Sequence, residues 1–300
     1  VTTANIVVLL NVTALATIML AMGMQVKFTA VRDSVRPIYR VVLGLIANYG
    51  LVPAVTVLLL YAFQADPMVS AGFLILAVCP GAPIGPMATK IAKGNVPWSV
   101  GMMVILAGLS AVLSPALLSL LLTRLTPDSD IRIDYLAIVR TLAVAQLLPL
   151  AAGLAFHHWA PKWTEKVAKP INLAANVMLL VLVGLILATQ YETLAAIRLR
   201  GWTGMSLLFL ASLAIGWLCG GKDGAIRKAL AVTTAGRNAA VGLAIVTSNF
   251  AGTPAVTAVV AYAVVSIFGT FVCAALFGKL AGAAEIPALL EPGAVGSPGS

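Results

Sequence analysis

The chain has 300 residues, of which 61% are hydrophobic and only 10% are charged. A water-soluble domain needs about a quarter of its residues charged to keep its surface wet, so the composition excludes an ordinary soluble protein. The net charge of +9 does not point to nucleic acid. The cations cluster between apolar runs, as in the cytoplasmic loops of membrane proteins, so the expected partner is the lipid bilayer.

The apolar runs are each long enough to cross a hydrocarbon core of about 30 Å. They predict nine transmembrane helices, over 5–26, 38–62, 69–92, 96–122, 134–156, 170–190, 202–220, 225–249 and 254–279. The first run is too long for the apolar region of a signal peptide, lacks a basic segment before it and is followed by further spans. Residues 281–300 are rich in Gly, Pro, Ala and Ser and are expected to be disordered.

The connections alternate in charge. One side carries Lys27, Arg32, Arg36, Arg40, Lys90, Lys93, Lys162, Lys166, Lys169, Lys222, Arg227, Lys228 and Lys279. The other carries Arg124, Arg132, Arg198 and Arg200. The positive-inside rule then places the N-terminus outside and the C-terminus in the cytoplasm, in a multi-pass protein of the cell's inner (plasma) membrane. Nine spans divide as four, one, four. The odd span inverts the second group against the first, which makes spans 3 and 8 equivalent.

Span 3 contains Cys79-Pro80-Gly81-Ala82-Pro83-Ile84-Gly85-Pro86. Each proline deletes a backbone donor and clashes with the preceding turn, so no α-helix continues through this run. Freed backbone groups cost several kcal/mol each in lipid unless protein, water or ligand satisfies them. Span 8 carries Thr233-Thr234-Ala235-Gly236-Arg237-Asn238 at its middle. Arg237 is 12 residues from either end of 225–249, roughly 18 Å of helix and too far to snorkel. The acids Asp33, Asp66, Asp128, Asp130, Asp134, Glu165, Glu192, Asp223, Glu285 and Glu291 all fall in loops, span ends or the tail. Arg237 is therefore expected to face a polar crevice without a carboxylate partner, and an ion at this depth marks a functional site. The bland alternative is that Arg237 staples the carbonyl end of a broken helix.

Arg140 lies within snorkelling or pairing reach of Asp134 and is read as structural. His157 and His158, beside Trp159 and Trp163, are read as interfacial anchors. The cysteines Cys79, Cys219 and Cys273 have neither metal-ligand nor disulfide spacing. No nucleophile–base pair lies at membrane depth, so no enzyme is expected, and no cofactor. Two broken helices in inverted halves imply a secondary transporter.

The run from Cys79-Pro80-Gly81 to Lys93-Gly94-Asn95 resembles the fourth-helix region of the bile acid:sodium symporter (BASS) family. The stretch from Lys228-Ala229-Leu230 through Arg237-Asn238 to Asn249-Phe250 resembles its second crossing helix, Met22-Gly23-Met24 its second helix, and Asn48 to Pro53 its third. The resemblance implies a bacterial form lacking the first of ten helices, with a panel domain (1–26 and 134–190) and a core domain (38–122 and 202–280). The two broken helices would cross in the core.

By the same resemblance, the family's sodium ligands fall on Gly85 and Pro86 in the first break, on Ser99 and Met103 in the next helix, and on Thr233, Arg237 and Asn48. These positions would be degenerate sodium sites near Gly85, Pro86, Ser99 and Thr233, so no metal is expected. The implied substrate is a small organic anion, a carboxylate or bile-acid-like molecule. It would be held by Arg237, Asn238, Thr233, Thr234 and Asn48, against a broken-helix backbone at Pro80, Gly81, Pro83, Gly85, Pro86 and Gly236. Two alternatives stand beside this one: a metalloid (arsenite-like) exporter using Cys79, and a non-transporting membrane receptor or scaffold.

Overall fold

The computed structural model describes residues 3–34, 36, 38–125, 134–195 and 197–290. Every regular element among them is helical. In chain order these are α1 (Thr3–Gln25), α2 (Phe28–Ser34), α3 (Ile38–Leu45), a π turn (Ile46–Leu51), α4 (Val52–Ala62), α5 (Pro67–Ala77), α6 (Gly85–Ile91) and α7 (Val96–Leu125). There follow α8 (Tyr135–Leu142), a second π turn (Ala143–Leu147), α9 (Leu148–Trp159), α10 (Pro161–Ala195), α11 (Leu199–Cys219), α12 (Gly224–Ala235), α13 (Ala239–Asn249) and α14 (Pro254–Leu290).

Among the described residues, seven stretches are long and apolar enough to cross a membrane: Val8–Gln25, Ile38–Ala62, Val96–Leu125, Tyr135–Trp159, Leu199–Cys219, Gly224–Asn249 and Pro254–Leu280. The expected span over 69–92 is divided between α5 and α6, and that over 170–190 lies inside α10. Helix α14 continues to Leu290, well into the segment 281–300 expected to lack structure. Residues 291–300, and the loop 126–133 with Asp128, Asp130 and Arg132, lie outside the described residues.

Acidic side chains are used to start helices. Asp66 accepts from the Met68 amide at 2.9 Å, with Pro67 at the first helical position. Asp134 accepts from Ala137 N at 2.9 Å, and Asp223 from Ala225 N and Ile226 N at 3.0 and 3.2 Å. Each satisfies orphan amides and places negative charge at the positive end of a helix dipole. The two π turns each come just before a proline, Pro53 and Pro149. A proline ring collides with the carbonyl four residues earlier in a regular helix, and the wider turn relieves that collision.

Between membrane helices there is little hydrophobic driving force, so close packing of small residues must hold them together. Gly23 of α1 and Gly153 of α9 bring two backbones into contact: a Cβ on Gly23 would strike Leu150 O, and one on Gly153 would strike Leu20 O. Helix α1 also packs on α10, whereas α5, α6, α11, α12 and α14 pack mainly on one another, and α7 bridges this group to α2 and α8. The apolar window of Gly224–Asn249 is 100% buried, against 28% to 50% for the other six stretches. The interrupted pair α12–α13 is therefore the centre of the molecule.

Candidate functional site

Both expected interruptions are present, and they touch. Helix α5 ends at Ala77, and the chain runs without regular structure until α6 begins at Gly85. Gly81 has φ +81°, and a Cβ there would lie 2.6 Å from Ala107 N. Only glycine meets both the left-handed backbone and the close approach to α7.

Four carbonyls freed by the interruption are met one by one. Ala77 O accepts from Arg237 Nη1 at 3.2 Å. Val78 O accepts from the Ser114 hydroxyl of α7. Cys79 O accepts from the Asn238 backbone amide at 2.9 Å, and Gly81 O from Asn238 Nδ2 at 3.3 Å. Two of these donors are consecutive residues of the other break. Asn238 also caps α13, its Oδ1 accepting from Val241 N at 3.3 Å.

Arg237 is 1% exposed, the largest of the fully buried side chains. The polar crevice expected around it is absent in this conformation: the guanidinium is enclosed and points at the end of α5. The stapling arrangement weighed from the sequence is the one observed. Among the described residues no carboxylate pairs with Arg237; the ion pairs are Arg32–Asp33 and Arg40–Asp223, each at 3.5 Å. Its Nε and Nη2 have no hydrogen-bond partner. A buried unsatisfied charged group is costly, so this point holds a strong demand for a polar or anionic partner.

Helix α14 lines the second break with Tyr262, Ser266 and Thr270, spaced by four and all 0% exposed. Ser266 Oγ accepts from Arg237 N at 3.0 Å and donates to Ala235 O at 2.7 Å, closing the gap left by the missing helical turn. Thr270 Oγ1 has no partner. The Tyr262 hydroxyl lies near enough to Ser212 to interact with it, without meeting hydrogen-bond geometry. Tyr262, Cys79 and Tyr49 are the titratable groups in electrostatic contact with Arg237.

The other expected residues gather at the same place. Asn48, in the first π turn, donates from Nδ2 to Thr234 Oγ1 at 3.1 Å and to Gly44 O at 2.9 Å, leaving Oδ1 unpartnered. Thr233 turns its hydroxyl back to its own helix, at 2.6 Å from Ala229 O. Its methyl faces Gly85, where a Cβ would lie 2.7 Å from Thr233 Cγ2. Ser99 accepts from the Thr89 hydroxyl at 2.9 Å, and Met103 is buried. Gly236 packs beside Ile84 and Thr270.

Three further residues were also singled out from the sequence. Arg140 is exposed and forms no ion pair with Asp134, which is spent on capping α8. His157 Nδ1 is 2.6 Å from Met24 O, tying α9 to the end of α1. Cys79 is packed in the main hydrophobic cluster, and among the described residues no group of three His, Cys, Asp or Glu could hold a metal ion.

Sequence reasoning missed several polar contributors. Gln146, in the second π turn, donates to Ala107 O and to Ser110 Oγ. Tyr49, in the first, donates to Leu106 O at 2.7 Å. The π turns thus aim polar side chains at two successive carbonyls of α7, beside the place where Gly81 presses against it. The signal was available: a polar side chain shortly before a proline in two apolar spans.

A helical membrane protein whose two interrupted helices exchange backbone and side-chain hydrogen bonds at a buried polar centre has the architecture of a secondary transporter. The chain belongs to the Sodium Bile acid symporter family, whose model matches residues 12–197. This is a family of transporters, not enzymes. The chain is 26% identical over 245 residues to the Bacillus subtilis uncharacterized sodium-dependent transporter YocS, covering 81% of this chain and 75% of that one. It is 27% identical over 202 residues to a rice chloroplastic probable sodium/metabolite cotransporter BASS2, covering 67% of this chain and 47% of the relative. It is 23% identical over 206 residues to the human ileal sodium/bile acid cotransporter, covering 68% and 58%. The chain thus spans three quarters of the bacterial relative but only about half of the rice and human ones.

Proposed function

We propose that this secondary transporter carries an organic anion, a carboxylate or bile-acid-like molecule, and works without sodium. The observation that carries the reading is Arg237, a buried cation bonded to the open carbonyl end of α5 with no carboxylate partner among the described residues. A permanent charge bridges the two breaks where relatives named as sodium-dependent would use an ion. Five of the seven positions corresponding to the family's sodium ligands offer a cation no available side-chain oxygen, while Ser99 and Asn48 retain one. Gly85 and Pro86 offer no side-chain oxygen, Met103 is a thioether, and Thr233 has its hydroxyl spent and its methyl toward Gly85. A second cation about 4 Å from the guanidinium would be repelled by roughly 4 kcal/mol at an effective dielectric of 20.

The panel would comprise 1–26 and 134–190 and the core 38–122 and 202–280, in a plasma membrane with the N-terminus outside. Arg237, Asn238, Thr233, Thr234 and Asn48 are closed off in the present conformation, so the anion reaches them when panel and core part. The unpartnered Arg237 Nε and Nη2 are the donors left to meet it.

The test is uptake of candidate carboxylates into proteoliposomes with Na⁺ replaced by choline, beside the variant Arg237→Gln. Uptake should persist in choline for the unmutated protein and vanish in the variant, with thermal unfolding used to check that the variant folds. Uptake that collapses in choline for the unmutated protein refutes sodium independence.

A further inference from the structure

A cavity of about 560 Å³ opens between the ends of α4, α5, α11 and α14 and shares no lining residue with the two breaks. Ligand pockets for small organic molecules span about 300–1,000 Å³, so the space takes a whole molecule. Its walls are apolar: Leu59, Leu60, Val69, Phe73, Met205 and Leu208. Phe73 is also stacked on Tyr262 with ring centroids 5.7 Å apart, so an occupant touching Phe73 would lie against an aromatic pair.

The mouth is charged. Arg198 and Arg200 line it and both are exposed. Arg200 donates to Phe63 O and lies over the Phe63 ring, 5.8 Å from its centroid, which fixes the guanidinium at the rim. Neither arginine forms an ion pair among the described residues. Asp66, the carboxylate of this rim, is held by the Met68 amide. An apolar shaft beneath two cations and one carboxylate, with neither cation in an ion pair among the described residues, has a net positive rim and matches an apolar body ending in a single anionic head. Guanidinium binds carboxylate and sulfonate heads through paired charge-assisted bonds.

We propose that this cavity is a second ligand site, separate from the helix crossing, for an amphipathic monoanion. The apolar body fills the shaft, and the carboxylate or sulfonate meets Arg198 and Arg200. Gly204 supplies the means to test it. A Cβ at Gly204 meets no atom closer than Phe63 Cδ1 at 4.0 Å, so a larger side chain there grows into the cavity instead of into a neighbouring helix.

The experiment is equilibrium binding of radiolabelled cholate to the full chain in nanodiscs of neutral lipid, with empty discs subtracted. The uncharged amide of cholate serves as competitor. The transport site at the crossing would also hold cholate, so the readout for the cavity is the saturable binding removed by variants confined to its lining. Saturable binding is expected, with the amide competing weakly. Gly204→Leu and the double variant Arg198→Gln/Arg200→Gln should each weaken binding about tenfold or more, as expected for a filled apolar pocket and for lost charge pairing. Leucine is also a better helix former than glycine, so Gly204→Leu should melt no lower than the unmutated protein; the arginine variant carries the test if it does not fold. No saturable binding, equal affinity in all three proteins, or an amide that competes as well as cholate itself each overturns the proposal.

Discussion

Replacing Gly81 by alanine adds one methyl group at the point where the first break touches α7. Two costs follow from the geometry. The backbone there has φ +81°, a left-handed conformation that costs a residue with a Cβ roughly 1–2 kcal/mol. The new Cβ would also sit 2.6 Å from Ala107 N and 3.0 Å from Ala107 Cα. Those are backbone atoms of a long helix, so they cannot swing aside, and such overpacking costs roughly 1–3 kcal/mol. Together these give about 2–5 kcal/mol, which at a few degrees per kcal/mol lowers the melting temperature by about 5–15 °C. Unfolding can be followed with a thiol-reactive fluorophore, because Cys79 is 0% exposed in the fold and becomes reactive when the break opens. Gly108→Ala is the control: it lies in the interior of α7 with nothing within 4 Å of a Cβ, and alanine there should stabilise by up to about 1 kcal/mol. A Gly81→Ala protein that melts with the unmutated one would show that the break is soft, and the argument from close contact would fail.

Ser266→Ala should destabilise by about 1–3 kcal/mol per orphaned group, since it strips partners from both Arg237 N and Ala235 O; Ser266→Thr should restore most of the loss in the same melting assay. Gly153→Leu should separate α1 from α9, because its side chain would enter the backbone of Leu20 and Met24; a cysteine pair placed across these helices should then fail to cross-link, and unchanged cross-linking would count against the contact. Asp223→Ala should cost about 1 kcal/mol by removing the α12 cap and release Arg40. Added salt should narrow the gap between that variant and the unmutated protein if the ion pair contributes, and leave it constant if only the cap does.

The two breaks were legible because proline and glycine act locally. Three prolines between Pro80 and Pro86 forbid a helix whatever surrounds them, and Gly236-Arg237-Asn238 stands out in an apolar run. The position of Arg237 was legible too, but its environment was not. Its remoteness from every acid in sequence predicted a crevice, whereas the space is filled by the end of α5 and by α14. That filling depends on contacts between residues 160 and 29 positions apart, which no local pattern encodes. The stripe Tyr262, Ser266 and Thr270 was passed over because a hydroxyl in an apolar helix ordinarily bonds its own preceding turn, as Thr247 and Ser212 do here. Nothing in the sequence separates those from Ser266, which bonds across to another helix. The π turns were hidden for a related reason: Pro53 and Pro149 signal a disturbance four residues earlier, but a kink and a widened turn share that signal.

The carbonyls of the first break carry a consequence for how the protein is made. Ala77 O, Cys79 O and Gly81 O find their partners on Arg237 and Asn238, whereas Val78 O is served early by Ser114 and Ala82 O by Gly85 N. Ribosomes extend a chain by about 5–20 residues per second, so the 160 residues between Ala77 and Arg237 occupy roughly 8–32 s of synthesis. Through that interval α5 and α6 are in the nascent chain while the carbonyls of their junction lack the donors of the second break. The hydrocarbon interior offers nothing to bond those carbonyls, so the junction must wait in the translocon, at the water interface or against a chaperone. A ribosome-stalled chain ending before Gly236 should accordingly leave Cys79 open to a water-soluble maleimide, and one extended through α14 should protect it.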